Sequence, residues 1–459
     1  MRTTLRLTFI VCLGLAVRAA AEPTPRDYTK GCTSAGCHDG FAKLNVVHSP
    51  VVGDACEECH EAEGSTQAHR FKLKAKGAEL CTECHDAFAG KHVHSPVAAG
   101  DCTTCHDPHA SAYAGLLHNT QPKVCGDCHD GLTADLKYLH GPVAAGACTS
   151  CHNPHVAEQS GLLKAEVRVL CLQCHDAMKD RLAPPAKVHA AVEGDCTDCH
   201  APHGAANTMM TTEASPALCF TCHDGVAEAV TDAKVRHSAV SSGAACGSCH
   251  DAHAAKNGNL LLATERKICM SCHGRELKAA GRTIPGFEKL LADNLVHHGP
   301  IDDGECAVCH QEVHGGNNYQ LLAEPYPAKL YEPYTEKEYA LCFGCHEAEA
   351  FASAETDDAT GFRNGRQNLH FVHVSRQKKG RTCKACHDMH ASKLPHLIAE
   401  SVPFGSWRIP LGYQATTDGG SCAPGCHRPY RYDREKPVSN LADVAAVPSV
   451  APSVAPTGS

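Results

Sequence analysis

Apolar residues are concentrated at the start of this chain and are scattered in short runs after it. One long run extends from Leu7 to Val17, behind Arg2 and ahead of the alanines at 19–21. A basic start, an apolar middle and small residues at the end are typical of a secretory signal, so residues 1–21 are predicted to be removed. No later stretch is apolar for long enough to span a bilayer, and no transmembrane segment is expected.

Beyond the signal, the pattern predicts few long elements. Many short apolar runs end directly at a cysteine, as in Leu80 before Cys81. The segments 274–296 and 324–340 have room for helices or loops. Residues 433–459 end in alternating Pro, Ser, Val and Ala, which supply too little apolar bulk to fold, so a disordered tail is predicted there.

The composition shows that side chains alone do not fill the interior. The 459 residues include 31 Cys and 34 His but 1 Trp, which is too few aromatic residues for an ordinary core. Cys12 lies in the signal, which leaves 31 − 1 = 30 cysteines. An even number in an exported chain favours disulfides by default. However, all of these cysteines fall into pairs that are followed at once by a histidine, and disulfides give no reason for that.

Thirteen pairs have the form Cys-x-x-Cys-His, and two pairs have a longer linker. The regular motifs are Cys56, Cys59 and His60; Cys81, Cys84 and His85; Cys102, Cys105 and His106; Cys125, Cys128 and His129; Cys148, Cys151 and His152; Cys171, Cys174 and His175; Cys196, Cys199 and His200; Cys219, Cys222 and His223; Cys246, Cys249 and His250; Cys269, Cys272 and His273; Cys306, Cys309 and His310; Cys342, Cys345 and His346; Cys383, Cys386 and His387. The stretched motifs are Cys32, Cys37 and His38, and Cys422, Cys426 and His427. We call the closing residue of each motif its motif histidine.

This motif is the attachment signal for haem c. Two thiols add to the haem vinyl groups while the next imidazole reaches the iron. The array therefore predicts about fifteen covalent haems. Zinc ribbons combine two cysteine pairs per metal and do not require a histidine after each pair. For the stretched motifs a local disulfide is the alternative, although Gly36 and Gly425 would let the longer linker bulge.

The motifs alternate between two contexts, so the repeat is a unit of two motifs. In apolar-approach motifs an apolar residue precedes the first cysteine, which is Cys81, Cys125, Cys171, Cys219, Cys269 or Cys342. In His-flanked motifs one histidine precedes the pair and another follows it; these motifs begin at Cys56, Cys102, Cys148, Cys196, Cys246, Cys306 and Cys383.

The remaining histidines match the need for a second axial ligand on each iron. Outside the motifs there are 34 − 15 = 19 histidines. Predicted ligands are the upstream histidines His48, His94, His140, His189, His237, His298 and His373, and the downstream histidines His69, His109, His155, His203, His253, His314 and His390. His92, His118, His297, His370 and His396 are left over, and His370 competes with His373 for one role. Mostly His/His ligation and low reduction potentials follow.

The alternation of Leu-Cys-x-x-Cys-His-Asp with His-Ser-Pro-Val-x-x-Gly-Asp-Cys-x-x-Cys-His-x-x-His resembles the doubled-CxxCH multihaem cytochromes over nearly all of residues 27–430. The resemblance implies a mostly irregular fold with short α-helices, a haem-stacked core and little or no β-sheet. It also implies electron transfer in the periplasm or at the outer cell surface. The implied partners are periplasmic cytochromes or a porin-cytochrome complex, with an extracellular metal or mineral as acceptor.

Motif spacing divides the array into a tight part and a loose part. Successive first cysteines are 21 to 27 residues apart up to Cys269 and 36 to 41 apart afterwards. This predicts a region 22–273 with eleven haems and a region 274–432 with four. So few residues per haem cannot enclose separate pockets, so neighbouring haems are expected to touch.

Charge and ligand supply narrow the function further. The formal charge of −9 becomes −9 − 3 = −12 when Arg2, Arg6 and Arg18 are removed, which disfavours nucleic-acid binding. No catalytic residue is predicted, and an electron carrier is the preferred function. The alternative is a multihaem reductase of a small oxyanion or nitrogen compound, which needs one iron with an open axial site. The histidine supply covers every iron, so the sequence does not indicate such a site.

Overall fold

The computed structural model describes residues 31–33, 38–64, 70–241, 244–279 and 282–440. Within these ranges the backbone forms short helices and small antiparallel strand pairs joined by irregular segments, and the strands do not close into a barrel. The prediction of a mostly irregular chain with short helices is confirmed. The many short strand pairs were not predicted.

The described α-helices are four to nine residues long, too short to be stable without packing partners. Several upstream segments place a proline in the first helical turn, as at Pro50, Pro96 and Pro142, where its fixed φ suits the helix. The helices are Ser49–Val52, Ala78–Cys81, Ser95–Ala98, Gln121–Gly126, Gly141–Ala144, Val167–Leu172, Asp176–Arg181, Ala217–Phe220, Asp224–Thr231, Glu265–His273, Phe287–Asp293, Gly299–Asp303, Ala340–Phe343, Glu349–Ala352 and Leu369–Val374.

Short 3-10 turns recur at two kinds of position. One kind opens the His-flanked motifs and comprises Cys56–Glu58, Cys102–Thr104, Cys148–Ser150, Cys196–Asp198, Ala245–Ser248, Cys306–Val308 and Cys383–Ala385. The other kind follows about ten residues later and comprises Ala114–Leu116, Ser160–Leu162, Thr208–Met210, Gly258–Leu260, Tyr319–Leu321 and Pro395–Leu397. Phe41–Lys43, Ala190–Glu193, Ser238–Ser241 and Glu336–Tyr339 complete the 3-10 turns of the described residues.

Six two-residue strand pairs repeat along the chain. In each, the residues just before an upstream histidine pair antiparallel with those just after the downstream histidine of the next repeat. The pairs are Val46–Val47 with Ala110–Ser111, His92–Val93 with Val156–Ala157, Tyr138–Leu139 with Gly204–Ala205, Lys187–Val188 with Ala254–Ala255, Val235–Arg236 with Gly315–Gly316, and Val296–His297 with Ala391–Ser392. Each repeat is thus joined to the next through backbone hydrogen bonds.

The remaining strands are local hairpins. They are His60–Ala62 with Phe71–Leu73, Leu277–Ala279 with Arg282–Ile284, Arg363–Asn364 with Gln367–Asn368, Ser401–Phe404 with Trp407–Pro410, and a three-stranded sheet of Gln414–Ala415, Gly419–Cys422 and Tyr430–Asp433. Ordered backbone continues to Asn440, beyond the predicted start of the tail at 433: the Asn364 side chain bonds both backbone groups of Val438, at 2.8 and 2.9 Å. Residues 441–459 and the predicted signal, 1–21, lie outside the described ranges.

Buried apolar side chains in the described residues are few and mostly small. A cluster of Ala399, Val402 and Leu411, with Ile398 and Ile409 against it, lies near the C-terminal hairpin. Elsewhere most buried apolar residues are alanines. The tyrosines of segment 324–340 contribute to packing, since Tyr339 is 1% exposed and its ring lies 5.4 Å from that of Tyr334.

The chain divides into two compact units. The first comprises Met1–Leu170 with Pro202–Ala206, and the second comprises Cys171–Ala201 with Asn207–Ser459. Both contain the strand pairing and the motif turns described above. The repeated local structure is therefore a property of each unit.

Candidate functional site

The two motif contexts fold into two local structures. In the His-flanked motif at Cys102 the pair opens a 3-10 turn, and the His106 N–H donates to the Cys102 carbonyl at 3.1 Å. In the apolar-approach motif at Cys125 the first cysteine lies inside an α-helix, and the His129 N–H donates to its carbonyl at 2.9 Å. In both structures one turn carries the two thiols and the motif histidine. This is the arrangement that covalent haem attachment requires.

Six upstream histidines lie opposite the motif histidine of the following apolar-approach or stretched motif. The two rings are roughly parallel, with interplanar angles of 10 to 33°. The ring centres are 6.0 Å apart for His48 and His85, 6.2 Å for His94 and His129, 5.9 Å for His189 and His223, 6.2 Å for His237 and His273, 6.0 Å for His298 and His346, and 6.5 Å for His373 and His427.

Each paired downstream histidine instead lies opposite the motif histidine of the preceding His-flanked motif. The ring centres are 6.1 Å apart for His60 and His109, 5.9 Å for His106 and His155, 5.9 Å for His152 and His203, 6.0 Å for His200 and His253, 6.0 Å for His250 and His314, and 6.3 Å for His310 and His390. The two histidines that flank one motif therefore face two other motifs.

These separations fit an iron between the rings. With metal–imidazole bonds of about 2 Å, two imidazoles on opposite sides of one metal have ring centres about 6 Å apart. Ordinary aromatic contacts span a wider range of distances and angles. All twelve pairs fall between 5.9 and 6.5 Å, and each joins one motif histidine to one flanking histidine. The residues present therefore fit a haem with two axial histidines.

Backbone carbonyls fix the tautomer of six motif histidines, all in His-flanked motifs. Nδ1 of His106 lies 2.7 Å from the Gly115 carbonyl oxygen. Because a carbonyl only accepts, Nδ1 carries the proton and Nε2 keeps the lone pair that binds a metal. The same bond joins His152 to Gly161, His200 to Met209, His250 to Asn259, His310 to Gln320 and His387 to His396, at 2.7 to 3.0 Å.

Sequence reasoning missed these carbonyl acceptors. Each accepting residue has a positive φ, from +50° at Asn259 to +66° at Gly115. Glycine adopts a positive φ without strain, but residues with a Cβ atom have a higher conformational energy there. Since only Gly115 and Gly161 are glycines, the signal in the sequence is weak.

The upstream histidines are fixed in the same way. Nδ1 of His94 lies 2.9 Å from the Pro154 carbonyl oxygen, and its backbone N–H donates to the His155 carbonyl at 2.9 Å. His48 makes the matching pair of bonds to Pro108 and His109, at 2.8 and 2.9 Å. The contact between His94 and the segment Pro154–His155 thus orients two candidate ligands, His94 and His155.

The aspartate after some motif histidines orients the downstream histidine. The Asp107 carboxylate accepts the backbone N–H groups of His109 at 2.8 Å and Ala110 at 3.3 Å. Asp251 does the same for His253 and Ala254, and it also pairs with Arg181. These bonds hold the pKa of both carboxyls below its usual value, despite partial burial that acts in the opposite direction.

Burial keeps several paired histidines neutral, as iron ligands must be. It lowers the pKa of His390 to about 4, with the nearby His310 and His298 adding to the effect. The pKa values of His155, His203 and His314 are lowered for the same reason.

Attachment cysteines of successive motifs lie next to each other. The Cys81 thiol lies near that of Cys102, and burial together with this neighbour raises its pKa. The same proximity pairs Cys32 with Cys56, whose sulfurs lie within 4.8 Å of each other, and also Cys125 with Cys148, Cys219 with Cys246, Cys269 with Cys306, and Cys342 with Cys383. In each unit, consecutive motifs therefore place their attachment points side by side.

Other predicted site residues occupy consistent positions. His140 directly precedes the helix Gly141–Ala144, as His94 precedes Ser95–Ala98, and its N–H donates to the His203 carbonyl at 3.2 Å. His175 precedes the helix Asp176–Arg181, and the His38 N–H donates to the Cys32 carbonyl at 3.3 Å. Cys37 and His69 lie outside the described residues.

The histidines left over by the sequence divide into two groups. His297 uses both ring nitrogens, Nδ1 on Asp302 at 2.6 Å and Nε2 on the Leu291 carbonyl at 3.1 Å. Nε2 of His118 lies 2.8 Å from the Thr103 carbonyl. His92 lies in a strand pair and His396 is exposed. His370 differs, since it is partly buried and its ring lies 5.0 and 5.2 Å from those of Phe351 and Phe362.

Paired thiols, motif histidines and opposed imidazoles define a multihaem c-type cytochrome. A family model described as the doubled CXXCH motif matches residues 48–90, 94–134, 140–180, 189–228, 237–278 and 298–351. Because these segments cover more than half of the sequence, the chain belongs to the doubled CXXCH motif family. Each segment begins at an upstream histidine and contains one complete repeat.

A comparison with curated proteins found no match to the chain. Across the part of the chain that the structure describes, no helix combines the length and apolar character needed to cross a membrane.

Proposed function

We propose that this cytochrome passes electrons along a chain of about fifteen covalent haems, most of them with two axial histidines. The observation that carries the proposal is the set of twelve opposed imidazole pairs 5.9 to 6.5 Å apart. Haem c supplies an iron that alternates between the ferrous and ferric states. The small side-chain core supports haems stacked in the interior.

Three kinds of protein group attach, ligate and orient the haems. The cysteine pairs fix each ring covalently, and the motif histidines with the upstream and downstream histidines close both faces of the iron. Carbonyls such as that of Gly115 keep a proton on Nδ1 and orient the imidazoles. Fixed ligands limit the reorganisation that accompanies a change in oxidation state.

The proposed order of the haems in each unit follows the order of the motifs. Cysteines of consecutive motifs, such as Cys81 and Cys102 or Cys125 and Cys148, lie near each other, so consecutive attachment points are neighbours. Neighbouring haems attached there lie edge to edge or stacked, which favours electron hopping between them. The predicted regions 22–273 and 274–432 would then form successive stretches of one array.

The reductase alternative requires an iron with an open axial site. In the described residues twelve motif histidines have an opposing imidazole, as in His60 with His109 and His85 with His48. This favours electron transfer without chemistry on a small substrate.

The proposed location and partners rest on two features of the sequence, the predicted signal and the net charge. The predicted signal supports export to the periplasm or outer surface. A net charge of −9, before signal removal, suits transient contact with basic redox proteins. Periplasmic cytochromes as donors, and a porin-cytochrome complex or an extracellular metal as acceptor, fit this picture.

A ligand-exchange experiment tests the proposed crosswise ligation. Replacing His94→Ala should leave one haem five-coordinate and high-spin, whereas His118→Ala should change nothing. The new signal should vanish when the haem facing His94 is removed with Cys125→Ala and Cys128→Ala. It should persist when the haem that follows His94 in sequence is removed with Cys102→Ala and Cys105→Ala. The opposite pattern would show that His94 serves its own motif, and the proposed ligation would be wrong.

A further inference from the structure

Phenylalanine rings are stacked on two of the proposed distal histidines. The ring centres of Phe88 and His155 are 4.4 Å apart, and the two planes differ by 21°. Phe41 is stacked on His109 in the same way, at 4.7 Å and 19°. A phenylalanine side chain cannot bind iron, so ligation alone gives these two residues no role.

Each phenylalanine reaches from one motif to a ligand of the next. Phe88 comes three residues after His85, the motif histidine of an apolar-approach motif. The imidazole that it covers, His155, instead faces His106 of the following motif, with ring planes 24° apart. One face of the His155 ring is therefore covered by the segment that leaves the preceding motif.

Close backbone packing holds this contact in place. Gly90 lies two residues after Phe88, and a Cβ atom on Gly90 would be 2.5 Å from Cγ2 of Val156. Val156 directly follows His155 and pairs with Val93 in a strand pair. The segment that carries Phe88 and the segment that carries His155 are thus fixed against each other.

The covering residue changes along the chain while the ligands stay the same. The third residue after the motif histidine is Phe41 and Phe88 in the first two cases, and Leu132, Met178 and Val226 in the next three. Leucine, methionine and valine have no flat ring to stack on an imidazole. The surroundings of otherwise similar haems therefore differ at this position.

We propose that Phe88 and Phe41 are positioning residues that raise the reduction potentials of the haems attached at Cys102 and Cys56. This inference rests on the proposed function and adds a way in which haems with the same two ligands acquire different potentials. A stacked ring limits rotation of the imidazole and keeps water from that side of the iron. Because ferric iron carries one more positive charge than ferrous iron, an apolar cover disfavours the ferric state.

The consequence concerns where electrons reside in the array. With other contributions equal, the haems at Cys102 and Cys56 hold an electron more readily than the haem at Cys148. The distal ligand of that haem, His203, lies in the repeat where Leu132 takes the place of the phenylalanine.

Redox titration and low-temperature electron paramagnetic resonance of the full-length haem protein test the inference. Phe88→Leu introduces the residue that the following repeat has at Leu132. It should shift the low-spin signal of one haem and lower the potential of that haem, whereas Phe88→Tyr keeps the ring and should retain both wild-type values. Phe404→Leu is the matched control, because Phe404 and Phe88 are both 47% exposed and the Phe404 ring contacts Tyr331. It should change neither value.

Removal of one haem identifies the haem that responds. In a protein that lacks the haem at Cys102, through Cys102→Ala and Cys105→Ala, adding Phe88→Leu should change no remaining signal. A shift that persists there would overturn the role of Phe88. So would an unchanged or higher potential in Phe88→Leu with the full number of haems, and in both cases electron transfer still stands. Few or no haems in the wild-type protein would instead overturn the proposed function.

Discussion

At the scale of single residues, backbone groups orient most of the candidate ligands. His106 and His94 each direct Nδ1 at a carbonyl, and the His109 backbone is held by Asp107. Such bonds set the tautomer and the ring angle, on which the ligand's basicity depends. They also explain why a histidine in the correct register can be positioned without a large apolar core.

The aspartate bonds give a direct test at this scale. Asp107→Ala removes the acceptor of two backbone N–H groups, so the free energy of unfolding should fall by about 1 kcal/mol. The low-spin signal of the haem that His109 serves should also broaden or shift. Denaturant unfolding and electron paramagnetic resonance measure the two effects.

Asp130→Ala is the matched control, because Asp130 follows a motif histidine in the same way but is exposed and lacks these backbone bonds. It should change stability by less than about 0.5 kcal/mol. Equal effects of the two substitutions would contradict the orienting role of Asp107.

At the scale of elements, one helix links the His-flanked motif at Cys148 to the apolar-approach motif before it. Gln121, at the start of Gln121–Gly126, exchanges hydrogen bonds with Thr149 at 2.9 and 3.2 Å. Gly146, two residues before Cys148, packs against Pro122 with a φ of +68°. Gly100 and Gly304 hold the same position with φ of +78°. This turn brings Cys125 and Cys148 together.

Gly146→Ala should disrupt that turn. The new Cβ would lie 2.6 Å from Pro122 Cγ, and the positive φ alone costs an alanine about 1 to 2 kcal/mol. We expect a loss of about 2 kcal/mol or more, measured as a lower denaturant midpoint. Gly225→Ala, in the helix Asp224–Thr231, meets no atom within 4 Å and does not have a positive φ, so it should be neutral or slightly stabilising. A neutral Gly146→Ala would contradict the role of the turn.

The same elements show what could be predicted from sequence. Cys-x-x-Cys-His gives the attachment residues locally, and Pro50 or Pro96 in the first turn marks a short helix. The partner of His94 could not be predicted, because it depends on the pairing of Val93 with Val156 in the next repeat. Two-residue strands have almost no local signal, so both the pairing and the crosswise facing of histidines arise from tertiary structure.

At the scale of the whole molecule, charge should govern how partners approach. The chain has a net charge of −9 with neutral histidines, and haem propionates would add to it. Electron exchange with a small basic cytochrome should therefore slow as ionic strength rises through the range where the Debye length falls to about 10 Å.

A small uncharged redox dye is the control for this prediction, and its rate should not depend on salt. The comparison requires stopped-flow mixing at several salt concentrations. A rate with the basic cytochrome that is independent of ionic strength would show that the acidic surface does not steer association.

The central claim is that the array holds about fifteen haems and that each iron is closed by two protein ligands. Haem content per chain, from the pyridine haemochrome and the intact mass, measured with low-temperature electron paramagnetic resonance on the same mature protein, tests it most directly. We expect about fifteen haems with only low-spin, six-coordinate signals. A count of about thirteen would remove the stretched motifs at Cys32 and Cys422 from the array. A persistent high-spin haem that binds nitrite would contradict the electron-carrier account and favour a reductase.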